Sequence, residues 1–346
     1  MRLRHCRTGL LAATVVLTAG TVPAPAAEAA TATYTGCAAV PGTVLVDAAR
    51  AGCPQVEPVA AAVAGAPADD AAAVLAGLGW TATRALPLSG AAAGQYDLVA
   101  IRGTGALRIR RTGQAPSLDG WSAGRELVFA RSTIVGGRPI PRDAAFCTSA
   151  FLVRLGGGAL GGLSAAHCGG LRSDGRAQRP NVALRRPPQP GIVLGRVRRI
   201  LTRALRLDAL VLPVPVGAHR TAAPVVDRGI ALPPWAVAGT ARLLPGRAVC
   251  FTGRTSGVDQ CGRLRGAGSR PLERVLLGKF RVTVRCTTIT ARSGDSGGPV
   301  YTAPRADGTV RAIGIVTLVS GPLQLMCFTP IRPVLHRLGA TVASAT

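Results

Sequence analysis

Beyond residue 134 the apolar residues come in short runs, such as 192 to 201, 209 to 216, 247 to 252, 280 to 285 and 312 to 319, separated by Gly, Pro and Asp. Short runs rich in β-branched residues and Leu, divided by turn formers, favour an all-β sandwich or barrel over alternating helix and strand. The chain has 346 residues, enough for more than one domain at about 150 residues each. Its earlier part has a different texture. From Ala60 to Ala93 it is Ala-rich, and Asp69 and Asp70 precede Val74, Leu75 and Leu78 at helical spacing, which predicts a capped helix. Tyr96 to Arg111 then alternates through Leu98, Ala100, Leu107 and Ile109 around Gly103 and Gly105, which predicts a strand hairpin. A small α+β module is therefore expected ahead of the all-β one.

The first residues bear on compartment. Arg2, Arg4 and Arg7 form a positive region, Leu10 to Leu17 an apolar one, and Ala27-Glu28-Ala29 a small-residue cleavage site, so residues 1–29 read as an export signal. Pro23 and Pro25 break the apolar run well short of the ~20 residues a membrane span needs, and no membrane span is expected elsewhere. His5 and Cys6 leave with the signal. Eight cysteines remain in an oxidising location, Cys37, Cys53, Cys147, Cys168, Cys250, Cys261, Cys286 and Cys327, and an even number suits four disulfides. None stands at the C-x-x-C or His/Cys spacing of a zinc site, so no metal or cofactor is expected. Lys plus Arg number 41 against 16 Asp plus Glu, a net charge of +25 in which Lys279 is the only lysine. Residues 134–346 hold 30 of the basic residues and eight acidic ones, net +22.

Three segments carry chemistry. In Gly162-Leu163-Ser164-Ala165-Ala166-His167-Cys168 small residues leave room around an imidazole, and a bridge from Cys168 to Cys147 in the preceding strand would clamp it. Leu207-Asp208-Ala209-Leu210-Val211-Leu212 opens an apolar strand with one carboxylate, which burial and a hydrogen bond could set to orient an imidazole. In Ser293-Gly294-Asp295-Ser296-Gly297-Gly298-Pro299-Val300 the glycines permit a strained turn that aims the Ser296 hydroxyl outward and turns the Gly294 and Ser296 amides toward one oxyanion. Besides Asp208 and Asp295, three aspartates lie between His167 and Ser296. Asp174 sits in an Arg-rich loop, Asp227 precedes a Gly and Asp259 lies between Cys250 and Cys261; none of them opens an apolar strand. His219 and His336 read as surface or packing residues.

Ser-Ala-Ala-His-Cys at 164–168, Asp-Ala-Leu-Val at 208–211 and Gly-Asp-Ser-Gly-Gly-Pro at 294–299, in that order, resemble the chymotrypsin-like serine peptidases, and most of all their secreted actinobacterial, streptogrisin-like branch. Cys250-Phe251-Thr252-Gly253-Arg254-Thr255-Ser256-Gly257 with Cys261-Gly262 is similar to a disulfide-closed hairpin of that branch. The resemblance covers roughly residues 134–340 and implies two six-stranded β-barrels with the site at their junction. It implies Ser296 as nucleophile, His167 as general base and acid, Asp208 as orienting acid, and the Gly294 and Ser296 amides as oxyanion hole. It implies a Cys286–Cys327 bridge, which leaves Cys37 to pair with Cys53. Asp295 is expected to turn inward to a cationic or hydrogen-bonding partner that shapes the oxyanion turn.

Departures from the family's pattern bear on specificity. Where relatives that cut after Lys or Arg carry an Asp, six residues before the nucleophile, this chain has Thr290, so trypsin-like specificity is not expected. The wall expected from Val316 to Ser320 is Val-Thr-Leu-Val-Ser, bulkier than the Gly-rich strand of many relatives, which suits small or medium apolar residues. Residues 30–133 read as a pro-region, as in secreted relatives, and 134–346 as the protease domain, made as a zymogen. Ile134-Val135-Gly136-Gly137 is similar to the amino terminus that animal relatives expose, whose amine would pair with Asp295; the other reading is an apolar strand that is never cut, and Arg131-Ser132 is a second cleavage point. The ten Arg and one acid between 170 and 206 form a basic stripe that would attract acidic macromolecules, although export, 3% aromatics and the lack of a nucleic-acid motif argue against a dedicated nucleic-acid site. Two functions follow: a monomeric secreted serine endopeptidase acting on proteins or peptides, or a weakly active protease-fold protein that binds anionic partners.

Overall fold

The computed structural model describes residues 34–88, 93–113, 120–130, 134–135, 138–139, 145–169, 181–186, 189–201, 207–214, 222–229, 232–265, 273–277, 280–320 and 325–345. The export segment, Arg131-Ser132, Asp174, His219 and much of the basic stripe lie outside the described residues.

The first module is a five-stranded antiparallel sheet with the order Thr35–Gly36, Leu45–Ala49, Gly105–Thr112, Gln95–Arg102, Thr81–Pro87. Helices Cys53–Ala64 and Ala71–Gly77 supply Val56, Val63 and Leu75 to a core shared with Val46, Trp80, Leu98, Leu107 and Ile109 of the sheet side. The expected hairpin is present, with Arg102 paired to Gly105 and Gly103 at φ +55°, a left-handed turn position that favours glycine. The helix expected behind Asp69 and Asp70 is present as Ala71–Gly77, and Cys53–Ala64 is a further helix ahead of it that the sequence reading did not include. Gly65 caps the first helix and Pro67 blocks continuation, so the chain restarts through a 3-10 turn at Ala68–Asp70. No side-chain hydrogen bond from Asp70 caps the second helix, and of the expected apolar stripe Leu75 is buried while Leu78, past the last turn, is 42% exposed.

The other described residues are mostly β-strand and form two lobes. The first combines a sheet ordered Arg199–Leu201, Ala209–Pro213, Leu160–Ser164, Leu152–Arg154, Thr341–Val342 with a second ordered Gln189–Arg196, Asn181–Arg186, Glu126–Ala130, Ala145–Thr148. The second lobe runs Gly257–Arg263, Ala248–Gly253, Pro299–Thr302, Thr309–Ser320, Leu325–Pro330, Phe280–Thr290, Glu273–Leu277, with Trp235–Thr240 parallel to Thr309–Ser320. Helix Ile331–Leu338 ends at Gly339, φ +59°, and returns the chain to the first lobe, where Ile331, Val334 and Leu338 join its core. All four expected disulfides are present: Cys37–Cys53, Cys147–Cys168, Cys250–Cys261 and Cys286–Cys327.

Part of the chain ahead of residue 134 packs with the first lobe. Strand Glu126–Ala130 lies between Ala145–Thr148 and Asn181–Arg186 in the first lobe, with Leu127 paired to Cys147, and Trp121, Leu127 and Phe129 belong to the same core as Leu163 and Leu210. Gly162 is glycine because a Cβ there would fall on the Trp121 ring. Glu-Leu-Val-Phe-Ala carries no motif, so its sequence texture does not tell which module it packs with.

The two modules meet away from the three sequence motifs. Arg84, buried, places its guanidinium 2.8 Å from the Asp227 carboxylate and donates to the Gly229 carbonyl, while Arg50 donates to the Pro234 carbonyl at 3.1 Å and lies over the Trp235 ring. Ala49, Ile101 and Ala106 close a small apolar cluster with Ala223 and Val225. No helix among the described residues is long and apolar enough to cross a membrane.

Candidate active site

His167 stands in a 3-10 turn, Ala166–Cys168, that follows the Leu160–Ser164 strand and is tied to Cys147 by a disulfide. Asp208 directly precedes the Ala209–Pro213 strand, whose pairing with Leu160–Ser164 sets Leu210 opposite Ser164 and so delivers the carboxylate to the imidazole. Its Oδ2 lies 2.6 Å from His167 Nδ1, and its Oδ1 accepts the His167 backbone N–H at 2.9 Å. The Asp208 N–H donates to the Thr329 hydroxyl at 3.4 Å, and that hydroxyl lies 2.7 Å from the hydroxyl of Thr317. With Nδ1 engaged by the acid, Nε2 is the ring atom left to exchange protons. Burial opposes a charge on the ring, but the Asp208 carboxylate, by its charge and its hydrogen bond, outweighs burial and raises the His167 pKa above 6.5.

The Ser296 turn is held from both sides. Gly294 adopts φ +98° and Gly297 φ +87°, left-handed positions that explain two glycines of the motif. The Ser293 carbonyl accepts the Thr255 hydroxyl at 2.8 Å and the Asp295 carbonyl accepts the Gly298 N–H at 2.9 Å. In a trans peptide the N–H opposes the carbonyl, so both contacts fix the direction of the Gly294 and Ser296 N–H groups. Thr148, next to Cys147, donates its N–H to the Ser296 carbonyl at 2.8 Å and its hydroxyl to the Gly294 carbonyl at 2.9 Å. Cys168 Sγ lies 3.8 Å from the same Ser296 carbonyl. The serine turn is therefore attached to the disulfide that anchors His167.

Asp295 is fully buried and accepts four hydrogen bonds, from the N–H groups of Thr255 at 2.9 Å, Ser256 at 3.0 Å and Arg292 at 2.8 Å and from the Ser256 hydroxyl at 2.5 Å. These are the hydrogen-bonding partners expected of it. Pairing with an amine at Ile134, the other expectation, is absent in the uncut chain, where Ile134 pairs with Pro139 in a two-residue ladder. The carboxylate already has donors on both oxygens.

The rival acids are engaged elsewhere. Asp227 lies against Arg84 and, at 3.8 Å, Arg125. Asp259 accepts Arg228 Nε at 2.6 Å, Trp235 Nε1 at 2.9 Å and the Tyr301 hydroxyl at 2.8 Å; burial, then the nearby Asp259 charge, hold the Tyr301 pKa well above 10. His336 is exposed on the final helix. Thr290 is exposed at the end of its strand. Val316 exchanges backbone hydrogen bonds with Gly297 and Gly298 at 2.7 and 2.9 Å, so the strand named as pocket wall passes beside the Ser296 turn at that residue; the Val319 and Ser320 side chains lie outside the described residues. Thr148, Thr255, Ser256, Thr317 and Thr329 support the site and were not anticipated. Of the basic stripe, Arg198 and Arg199 line an open cavity of about 360 Å³ with Leu155, Val211 and Leu338. Cys37, Cys53 and Glu57 cluster closely, but the disulfide occupies both sulfurs.

No protein-family model matches the sequence, and no curated protein matches it. Solved structures do. Nocardiopsis protease is 19% identical with a TM-score of 0.46, over 64% of this chain and 98% of that one. Thermobifida fusca protease A is 24% identical with a TM-score of 0.43, over 62% and 100%. Cellulomonas bogoriensis chymotrypsin is 20% identical with a TM-score of 0.42, over 64% and 97%. What the site can do is read from its own residues.

Proposed function

We propose that the chain is a secreted serine endopeptidase that cleaves peptide bonds through an acyl-enzyme intermediate, with Ser296, His167 and Asp208 as its triad. The observation that carries this reading is the Asp208 carboxylate with both oxygens on His167 beside a Ser296 turn attached to the same Cys147–Cys168 bridge. Ser296 Oγ attacks the carbonyl carbon and its proton passes to His167 Nε2; the imidazolium, stabilised by Asp208, then protonates the leaving amine. Water repeats the sequence on the ester. The Gly294 and Ser296 amides receive the oxyanion, a role in which losing one donor typically costs ~3 kcal/mol. No step calls for a metal or cofactor.

Export follows from residues 1–29, and the four disulfides suit an oxidising compartment. The N-terminal module serves as a pro-region that assists folding of a β-rich unit dominated by long-range contacts. Specificity is for small or medium apolar residues, because position 290 holds a neutral Thr and the strand hydrogen-bonded to the Gly297–Gly298 backbone carries Val316 and Leu318 where many relatives have glycines. The test is a peptide series varied only in the residue before the cut. Preference for Ala, Val or Leu is expected, and preference for Lys or Arg would contradict the specificity reading.

A further inference from the structure

We infer that residues Trp121–Ala130 are part of the catalytic unit, so that the active enzyme retains them and the Ile134-Val135-Gly136-Gly137 sequence is not an activation terminus. The inference rests on the serine-protease reading above and concerns how that site becomes competent.

The segment touches the site's supports from end to end. Trp121 Nε1 donates to the Ala150 carbonyl at 3.0 Å, and Gly124 N–H to the Ser149 carbonyl at 2.8 Å. The Ser149 hydroxyl accepts the Arg125 N–H and donates to the Ser122 carbonyl, both at 2.8 Å. Glu126 reaches Arg254 at 2.5 Å, and Arg254 N–H bonds the hydroxyl of Thr148, the residue that holds both the Gly294 and Ser296 carbonyls. Ala123 exchanges backbone hydrogen bonds with Val225 and Asp227, which lie on the connection between the lobes. Removing 121–130 would leave Asn181–Arg186 and Ala145–Thr148 without the strand between them and would uncover Gly162, whose missing side chain is the space the Trp121 ring fills. A cut at Arg131 or Ile134 followed by loss of the upstream chain would dismantle the lobe that carries His167.

The second observation concerns Asp295. In relatives activated by a new amino terminus, an amine must arrive to order the oxyanion turn. Here the carboxylate is buried and already accepts hydrogen bonds from Thr255, Ser256 and Arg292, all from the catalytic unit itself. The turn is complete in the uncut chain.

The experiment uses the full chain exported with its own signal. Secreted species are reacted with a fluorophosphonate serine-hydrolase probe, and each labelled species is assigned its N-terminal residue and, by native mass, its bound peptides. Every labelled species is expected to contain 121–130, whether processed upstream or not processed at all. A labelled species that begins at Ser132 or Ile134 and has lost 121–130 would overturn the inference. The paired variant Arg131→Gln with Ile134→Ala is expected to label within about twofold of the parent rate. A loss beyond about tenfold, in protein secreted at the parent level, would show that a terminus at 134 builds the oxyanion turn and would also overturn it. If that variant is not secreted, the termini of the parent protein decide the question. Should no species label, the protease reading fails, while the N-terminus and bound peptides of the folded secreted product still decide whether 121–130 is retained.

Discussion

At the scale of single residues, the reactive potential lies in how few atoms are left unengaged around His167. Asp208 uses both oxygens on one residue, so the ring is fixed in place and in tautomer together. The raised pKa has two consequences of opposite sense. As a base the ring must be neutral, so kcat/KM should rise with pH through a single apparent pKa above 6.5, measured on a neutral ester substrate. As a stabilising contact the ring must be protonated: the folded state holds that proton more tightly than the unfolded chain. The contribution is therefore full below about pH 6.5 and is lost as pH rises through the folded value. Asp208→Asn should lower kcat by about 10⁴-fold and remove the upward shift; an unchanged profile would assign the acid's role elsewhere. Thr329→Val tests positioning rather than chemistry, because its hydroxyl meets the Asp208 N–H and Thr317. It should move the pH profile as well as the rate, whereas a merely structural residue would change secreted yield alone.

At the scale of elements, strand register does the assembling. The Ser164–Leu210 pairing brings acid to base, and Thr148 brings the serine turn to the Cys147–Cys168 bridge. Replacing both cysteines of that bridge by Ser should cost about 3 kcal/mol through loss of a 21-residue closure, read as a lower denaturation midpoint, and should reduce kcat. Removing Cys286–Cys327 should cost similar stability with a smaller effect on kcat; equal rate effects would mean that the bridge beside His167 is only a staple. The motifs were legible because a strained turn, a clamped base and a buried acid each demand particular residue types at fixed spacing. Glu126–Ala130 was not, since a short buried strand has no signature until its partners are known. The Cys53–Ala64 helix was also missed, although Pro54 in its first turn is an ordinary start signal. Thr148, Thr317 and Thr329 could not be found from sequence, because each supports the site through a contact with a distant segment.

At the scale of the whole molecule, the N-terminal module sits on Asp227 and the carbonyls of Gly229 and Pro234, while Arg125 of the catalytic unit approaches the same carboxylate. Burial lowers the Arg125 pKa even though Asp227 opposes the shift, so this charge depends on its partner. Asp227→Ala should therefore destabilise more than Arg84→Ala, by several kcal/mol, because it strands two buried arginines rather than one carboxylate. Denaturation midpoints of the two variants measure this, and the reverse order would contradict it. The two-lobed β architecture and the four disulfides were readable in advance from run lengths, cysteine number and the motif resemblance; the module boundary was not, because it depends on which core a motif-free strand joins. The central claim is that Ser296 is a working nucleophile. Its most direct test is fluorophosphonate labelling of the secreted protein beside Ser296→Ala, with folding of both verified by intact disulfides. Labelling of the parent and none of the variant is the expected result, and a folded parent that takes no label, or a variant that still does, would contradict it.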